Sequence, residues 1–157
     1  MKITAQEEYG LRILLHIARH GEKEGASIPM ISDAEGLSAA YVAKLTRTLR
    51  LAGYINSTPG NKGGYILAKP AEDININQVM KVLGGSLYSN KFCEDYSGAL
   101  KLCTNSVDCS VRSLWQMIQM SVDQLLNNIS LKELISTEQE SNLQIINKIN
   151  ALKMAKL

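Results

Sequence analysis

Residues 36–69 read GLSAAYVAKLTRTLRLAGYINSTPGNKGGYILAK, and the fold turns on this stretch. Ser38 suits an N-cap, because its hydroxyl can accept from an amide that the first helical turn leaves unpaired. Val42, Leu45, Leu49 and Ala52 then recur at spacings of three and four, which predicts a helix to about Ala52 with those side chains toward a core. The opposite face carries Ala40, Ala43, Lys44 and Arg47, all small or basic. Gly53 supplies the stop. Beyond it, Tyr54-Ile55-Asn56-Ser57 and Tyr65-Ile66-Leu67-Ala68 flank a turn-rich tip from Thr58 to Gly64, the pattern of a β-hairpin.

Upstream, Thr4 followed by Glu7 has the form of a capping box, in which hydroxyl and carboxylate each satisfy an orphan amide. Tyr9, Ile13, Leu14, Ile17 and Ala18 follow at helical spacing, so a first helix is expected over residues 4–20. Gly21 to Gly25 reads as a polar turn. Pro29 suits the first turn of a short second helix, where its missing N–H costs nothing, and Gly36 ends that helix after Glu35. Two helices, a basic-faced third and a glycine-tipped hairpin make a winged helix-turn-helix, assigned to residues 1–72.

This arrangement has a physical use. A helix enters the major groove of a duplex, where base edges carry a distinct donor and acceptor pattern. Its outward face must be slim and positive. Ser38, Ala40, Tyr41, Lys44, Arg47 and Thr48 form the expected DNA-facing set on the helix, joined by Asn61, Lys62 and Gly63 at the wing tip, where they can reach phosphate or the minor groove. From Gly36 through Ala71 there is no Asp or Glu, yet Lys44, Arg47, Arg50, Lys62 and Lys69 are present. A basic helix face alone is as readily a solvated surface; the basic hairpin beside it in an acid-free window favours DNA. The net charge of +2 argues nothing by itself.

Downstream, Asn75 and Gln78 cap an expected connecting helix within residues 73–85, holding Ile76, Val79, Val82 and Leu83. Residues 86–109 show no periodicity and contain all three cysteines. Val111, Leu114, Ile118, Val122, Leu125 and Ile129 then step by three or four, predicting a long helix in residues 110–136 with one extended apolar face. A small domain needs a second helix to cover such a face, so a homodimer is expected; packing against its own chain is the alternative. Ser130 and Glu133 suit the cap of a short helix. Residues 137–157, rich in Asn, Gln and Lys, read as a marginal helix or a partly disordered tail, with Leu143, Ile146 and Ile149 as a weak stripe. The fold class is mainly α with a small β-hairpin. Hydrophobic residues at 45% with one Phe and one Trp fit a core of aliphatic side chains on packed helices.

No apolar run approaches the roughly 18 residues of a membrane span, and Glu7, Glu8, Arg12 and His16 interrupt any secretory signal. A cytoplasmic protein is expected, in which three cysteines do not read as a disulfide framework. No Ser/His/Asp or paired-carboxylate arrangement stands out and the histidines are His16 and His20 alone, so an enzyme is not expected.

Met1-Lys2-Ile3-Thr4 before a helix with Tyr9-Gly10-Leu11, Gly36-Leu37-Ser38 with Tyr41, Leu49-Arg50-Leu51-Ala52-Gly53-Tyr54-Ile55, and Gly63-Gly64-Tyr65-Ile66-Leu67 together resemble the Rrf-two family of bacterial regulators. The likeness covers roughly residues 1–135. It implies a homodimeric transcriptional regulator, paired through the long helix, that binds near-palindromic double-stranded operator DNA. Cluster-binding members of that family carry three cysteines in the loop before the long helix. The resemblance therefore implies that Cys93, Cys103 and Cys109 hold an iron–sulfur cluster of two or four irons, as a sensor of redox, nitric oxide or iron status. The five residues between Cys103 and Cys109 match the usual pattern, while the nine between Cys93 and Cys103 exceed it. Thiolates are the soft ligands such clusters need. Some members use a histidine three residues past the last cysteine; here that position is Arg112, which cannot ligate. Others use a carboxylate at the position of Glu8, so Glu8 is the candidate non-cysteine ligand, against a plain reading as a first-turn acid facing the helix dipole. His16, two turns further on, is a lesser candidate. Other readings stay open: zinc without the paired short spacing it favours, a metal-free thiol switch, inert small hydrophobes, or a winged protein that docks on an enzyme.

Overall fold

The computed structural model describes residues 3–20, 25–59, 63–89, 91–99 and 103–154. Helix α1 (Ala5–Arg19) opens on the expected capping box, with the amide and hydroxyl of Thr4 both donating to Glu7 Oε2 at 2.8 Å. Helix α2 (Ile28–Glu35) is capped by Ser27, carries Pro29 in its first turn, and ends at Gly36 in the left-handed region, φ +65°. Helix α3 (Ala39–Leu51) starts at Ser38, whose hydroxyl accepts from Tyr41 N. Such caps are worth about 1 kcal/mol each. Ile13, Leu14, Ile17, Ile31, Val42, Leu45 and Leu49, the inward positions of these three helices, are fully buried together.

Strands β1 (Ile55–Ser57) and β2 (Tyr65–Leu67) pair antiparallel with Ile55 opposite Leu67. Ala26 adds a backbone bridge to Tyr65, with both N–H···O distances 2.9 Å. A Cβ on Gly64 would stand 3.0 Å from the Ala26 backbone. Glycine at this position therefore lets the root of the wing lie against the segment that leads into α2.

A short 3-10 turn (Ala71–Asp73) leads to α4 (Ile76–Gly84), with Asn75 accepting from Gln78 N. Ile76, Val79 and Leu83 are buried, whereas Val82 is exposed. Gly10 of α1 meets Leu83 so closely that a Cβ would come within 2.5 Å of it. Gln6 Nε2 donates to the Leu83 carbonyl at 2.5 Å. Helix α4 is thereby fixed to α1.

Helix α5 (Phe92–Asp95) is one turn, and α6 (Ser110–Leu126) is the long helix. The apolar stripe outlasts α6. After Leu126 the chain turns back: Ile129 is buried, its carbonyl accepts from Ile76 N at 3.0 Å, and Leu131 N donates to the Ile74 carbonyl at 2.8 Å. Ile129 thus belongs to the winged body and not to the free face of α6. Helix α7 (Lys132–Ile135) follows, with Ser130 N and Oγ donating to Glu133 Oε2 as the cap expected there.

The tail forms helix α8 (Glu138–Met154). Thr137 and Glu140 make a second capping box, Ile145 packs on the core, and Lys148 Nζ bridges the Asn128 carbonyl at 2.7 Å and Glu133 at 2.9 Å. Of the two readings of this segment, the helix is the one formed. None of the described helices is long and apolar enough to cross a membrane.

Candidate nucleic-acid interface and cysteine loop

Burial of Val42, Leu45 and Leu49 rotates the other side of α3 outward. Ser38, Ala40, Lys44 and Arg47 are exposed, as is Arg50. Thr48 is half-buried, its hydroxyl donating back to the Lys44 carbonyl at 3.2 Å. Tyr41 is also half-buried, edge-on to Tyr9 with ring centroids 6.2 Å apart, so part of that side chain is committed to holding α3 on α1. Gly63 is exposed, two residues before β2. Asn61 and Lys62 lie outside the described residues. Neither Lys44 nor Arg47 forms an ion pair among the described residues, which leaves both charges available to an incoming anion.

Behind this face, Arg12 pairs with Glu35 at 2.7 Å and lies over the Tyr9 ring. His16 packs against the same carboxylate, Nδ1 at 3.7 Å from Oε1, and stacks on His20 with centroids 4.2 Å apart. His16 therefore sits inside the helix-turn-helix, in the role of a core-edge histidine. Burial first, then His20 and Arg19, pushes its pKa below the ordinary histidine value against the pull of Glu35. The folded state thus favours the neutral ring. Stability from this group is present above the unfolded value near 6.5 and is lost as pH falls through the lower folded value. Urea midpoints measured from about pH 7.5 to 5 are expected to fall on the acid side, and His16→Gln is expected to flatten that slope. An identical slope in the variant would assign it to other groups.

The cysteines lie together in sequence but not in one cage. Cys93, Cys103 and Cys109 are all free and half-buried. Cys109 is the N-cap of α6, its sulfur accepting from Arg112 N at 3.4 Å. Cys93, on α5, has its sulfur 3.9 Å from the Tyr88 hydroxyl. Cys103 opens a turn closed by Ser106 N at 3.2 Å. Burial, and then Cys93 itself, raises the Tyr88 pKa. Phe92 joins Tyr88, Tyr96 and Trp115 in an aromatic cluster that anchors the loop on α6. Glu8 is exposed in the first turn of α1. Among the described residues, no group of three or more His, Cys, Asp or Glu side chains is gathered closely enough to hold a metal ion. The donor chemistry nonetheless suits an iron–sulfur centre: three thiols share one loop and one of them caps a helix.

The outward face of α6 is strongly apolar. Val111, Leu114, Met117 and Met120 are 50–70% exposed, more apolar surface on one helix than a lone chain usually shows to water.

Residues 3–137 match the model of the family described as Rrf2, iron-dependent transcriptional regulator. The protein rrf2 of Nitratidesulfovibrio vulgaris is 37% identical over 135 residues, covering 86% of this chain and 87% of that protein. Among solved structures, CymR, the global cysteine regulator of B. subtilis, superposes with a TM-score of 0.69 at 27% identity, over 86% of this chain and 96% of that one. T. potens IscR does so with a TM-score of 0.66 at 29% identity, over 86% of each. With its winged helix-turn-helix and exposed basic helix, the chain belongs to the Rrf2 family and is a DNA-binding transcriptional regulator, not an enzyme.

Proposed function

We propose that the protein is a cytoplasmic homodimeric regulator that reads double-stranded operator DNA with Ser38, Ala40, Tyr41, Lys44, Arg47 and Thr48 of α3 and with Asn61, Lys62 and Gly63 of the wing. It senses redox, nitric oxide or iron status through an iron–sulfur cluster on Cys93, Cys103 and Cys109. The observation that carries the DNA part is the exposure of Lys44 and Arg47, without an ion pair among the described residues, on the face opposite a fully buried apolar stripe. The exposed Val111, Leu114, Met117 and Met120 support pairing through α6, since burying them against a second copy removes apolar surface from water.

In this reading residues 1–72 are the DNA-binding unit, 73–85 connect it, 86–109 hold the centre, α6 within 110–136 pairs the subunits, and 137–157 follow as a tail. The four-iron form needs one ligand beyond three thiolates, and Glu8 of the partner subunit is the candidate. When bound, the centre supplies sensitivity to oxidant, nitric oxide or iron supply. The chain's own residues do the rest. The 86–109 loop is anchored to α6 through Phe92 and Trp115, so a change in the loop bears on the helix that sets the spacing of two recognition helices. Specific operator sites exceed non-specific DNA by about 4–10 kcal/mol, and half-sites lie about one helical turn apart, so a small change in spacing removes much of that difference.

The test is a visible spectrum of the anaerobically purified full chain, with operator affinity measured before and after iron is chelated away. Coloured protein whose affinity changes on chelation supports the reading, and a colourless anaerobic preparation ends the cluster part of it. A second reading has its own support: the likeness to CymR, a global cysteine regulator, fits a metal-free thiol switch in which the free thiols respond to oxidant.

A further inference from the structure

Helix α8 begins where the segment matched by the family ends, and it reaches back to the foot of the pairing helix. Backbone turns continue α6 past Leu126 as far as Ile129, whose N–H donates to the Leu126 carbonyl at 3.1 Å. The carbonyls of Asn127 and Asn128 therefore have no further turn to accept from, at the negative end of the helix dipole. Asn75 Nδ2, at the cap of α4, donates to the first at 2.8 Å, and Lys148 Nζ of α8 donates to the second at 2.7 Å. Lys148 also pairs with Glu133 Oε1 at 2.9 Å, while Glu133 Oε2 accepts from Ser130. Burial pushes the Glu133 carboxyl up, but the bonds from Lys148 and Ser130 outweigh it and hold the group below the ordinary carboxylate value. Helix α4 grips the same foot through Lys81 on Asp123 at 2.9 Å and Asn77 Nδ2 on Asn127 Oδ1 at 2.8 Å. Ile145 of α8 packs on the core, so Lys148 is fixed on the winged body. One end of α6 is thus held by α4 and α8 together, while its apolar side chains from Val111 to Met120 stay exposed.

We propose that Lys148 of α8 is a positioning residue for operator recognition: it fixes the angle at which α6 leaves the winged body, and so the half-site spacing that the dimer accepts. The proposal rests on the reading of a homodimer paired through α6 and on nothing at the cysteines. At about 1.5 Å per residue the 17 residues of α6 span about 25 Å, so a tilt of about 5° at the foot moves the far end by about 2 Å. The ammonium meets a carbonyl beyond α6 and a carboxylate before α7 at once. Removing it releases the polar anchor that α8 supplies, while the bonds from Asn75, Asn77 and Lys81 remain. Fold and pairing therefore persist and the angle loosens. Two recognition helices must fall about one helical turn apart along the duplex, so a dimer without this brace treats correct and incorrect spacings more alike.

The experiment uses the full chain as wild type, Lys148→Met and Lys148→Arg, with the oligomeric state of each measured by sedimentation. The probe is a duplex selected by the wild type from a randomised pool, then remade with one base pair inserted or removed between its half-sites. Wild type is expected to lose about tenfold in affinity on either change of spacing. Lys148→Met is expected to bind the selected duplex about fivefold more weakly and to lose less than about threefold on respacing, while remaining a dimer. Lys148→Arg keeps charge and donors and is expected to restore most of the preference. A purely structural lysine would lower the melting temperature and leave the spacing profile unmoved. A wild type indifferent to spacing, or a Lys148→Met dimer with the wild-type profile, overturns the proposal alone. A wild type that is monomeric, or that selects no duplex with two half-sites, overturns it together with the homodimer reading. If Lys148→Met does not fold, Glu133→Gln, which removes the carboxylate side of the pair, decides: a flattened profile supports the proposal, and an unchanged one defeats it.

Discussion

Arg47→Ala is expected to weaken binding to duplex DNA by about 5- to 150-fold, the equivalent of about 1–3 kcal/mol for a base-edge contact. The change removes a side chain that is exposed and makes no ion pair among the described residues, so it costs the fold little. Its effect falls on the intermolecular term alone. Lys44 stands one turn away on the same face, and Lys44→Ala combined with Arg47→Ala is expected to bring operator affinity down toward non-specific binding. Fluorescence anisotropy with a labelled operator reads both, and the melting temperature and visible spectrum serve as controls. If the contact goes to phosphate, affinity drops on all sequences alike; if it goes to a base, discrimination at one position relaxes. Unchanged affinity in the double variant would remove α3 from the interface.

The second large effect concerns Cys109. Cys109→Ser is expected to abolish visible absorbance in anaerobically loaded protein while leaving the fold intact. Serine keeps an N-cap acceptor for Arg112 N but offers a hard oxygen where a soft thiolate is required. Cys109→Ala is expected to be equally colourless, with a modest loss of stability from the missing cap. Cys103→Ala removes another of the three thiols and is expected to match it. Operator affinity in these variants should equal that of the chelated wild type. Retained colour in Cys109→Ser would show that this sulfur is not a ligand. The metal-free alternative behaves differently: a colourless wild type whose affinity changes reversibly with peroxide and thiol, and no longer does so in Cys109→Ser.

The winged body was legible because period and punctuation agree there. Thr4, Ser38 and Asn75 cap where their side chains predict, Gly36 takes the left-handed conformation that its place after Glu35 requires, and the three-four spacing of Val42, Leu45 and Leu49 is the buried face of α3. The stripe after Ser110 was only partly legible. Period alone does not distinguish a side chain on a free helix face from one that returns to the body, which is where Ile129 goes. Tyr41 was placed in the DNA-facing set, yet an aromatic of its length also reaches back to Tyr9. Helix α5 was missed, although Tyr88, Phe92 and Tyr96, spaced by four, were its signal. Helix α8 was under-read because its apolar stripe is weak; the Thr137 and Glu140 box marks its start, and Lys148 ties it down through a bond no sequence pattern announces. It lies beyond the 3–137 segment matched by the family. The ligand geometry of the three cysteines was not legible at all, since spacing supplies donors and says nothing of whether they converge.

In the proposed complex α3 and the wing meet DNA through positive charge on an exposed face. The dependence of duplex affinity on salt measures this most directly, because every phosphate neutralised releases counterions. A linear fall of log K with log salt concentration is expected, shallower by about one in slope for each of Lys44 and Arg47 removed, if that side chain meets a phosphate. A wild-type affinity indifferent to salt would contradict it.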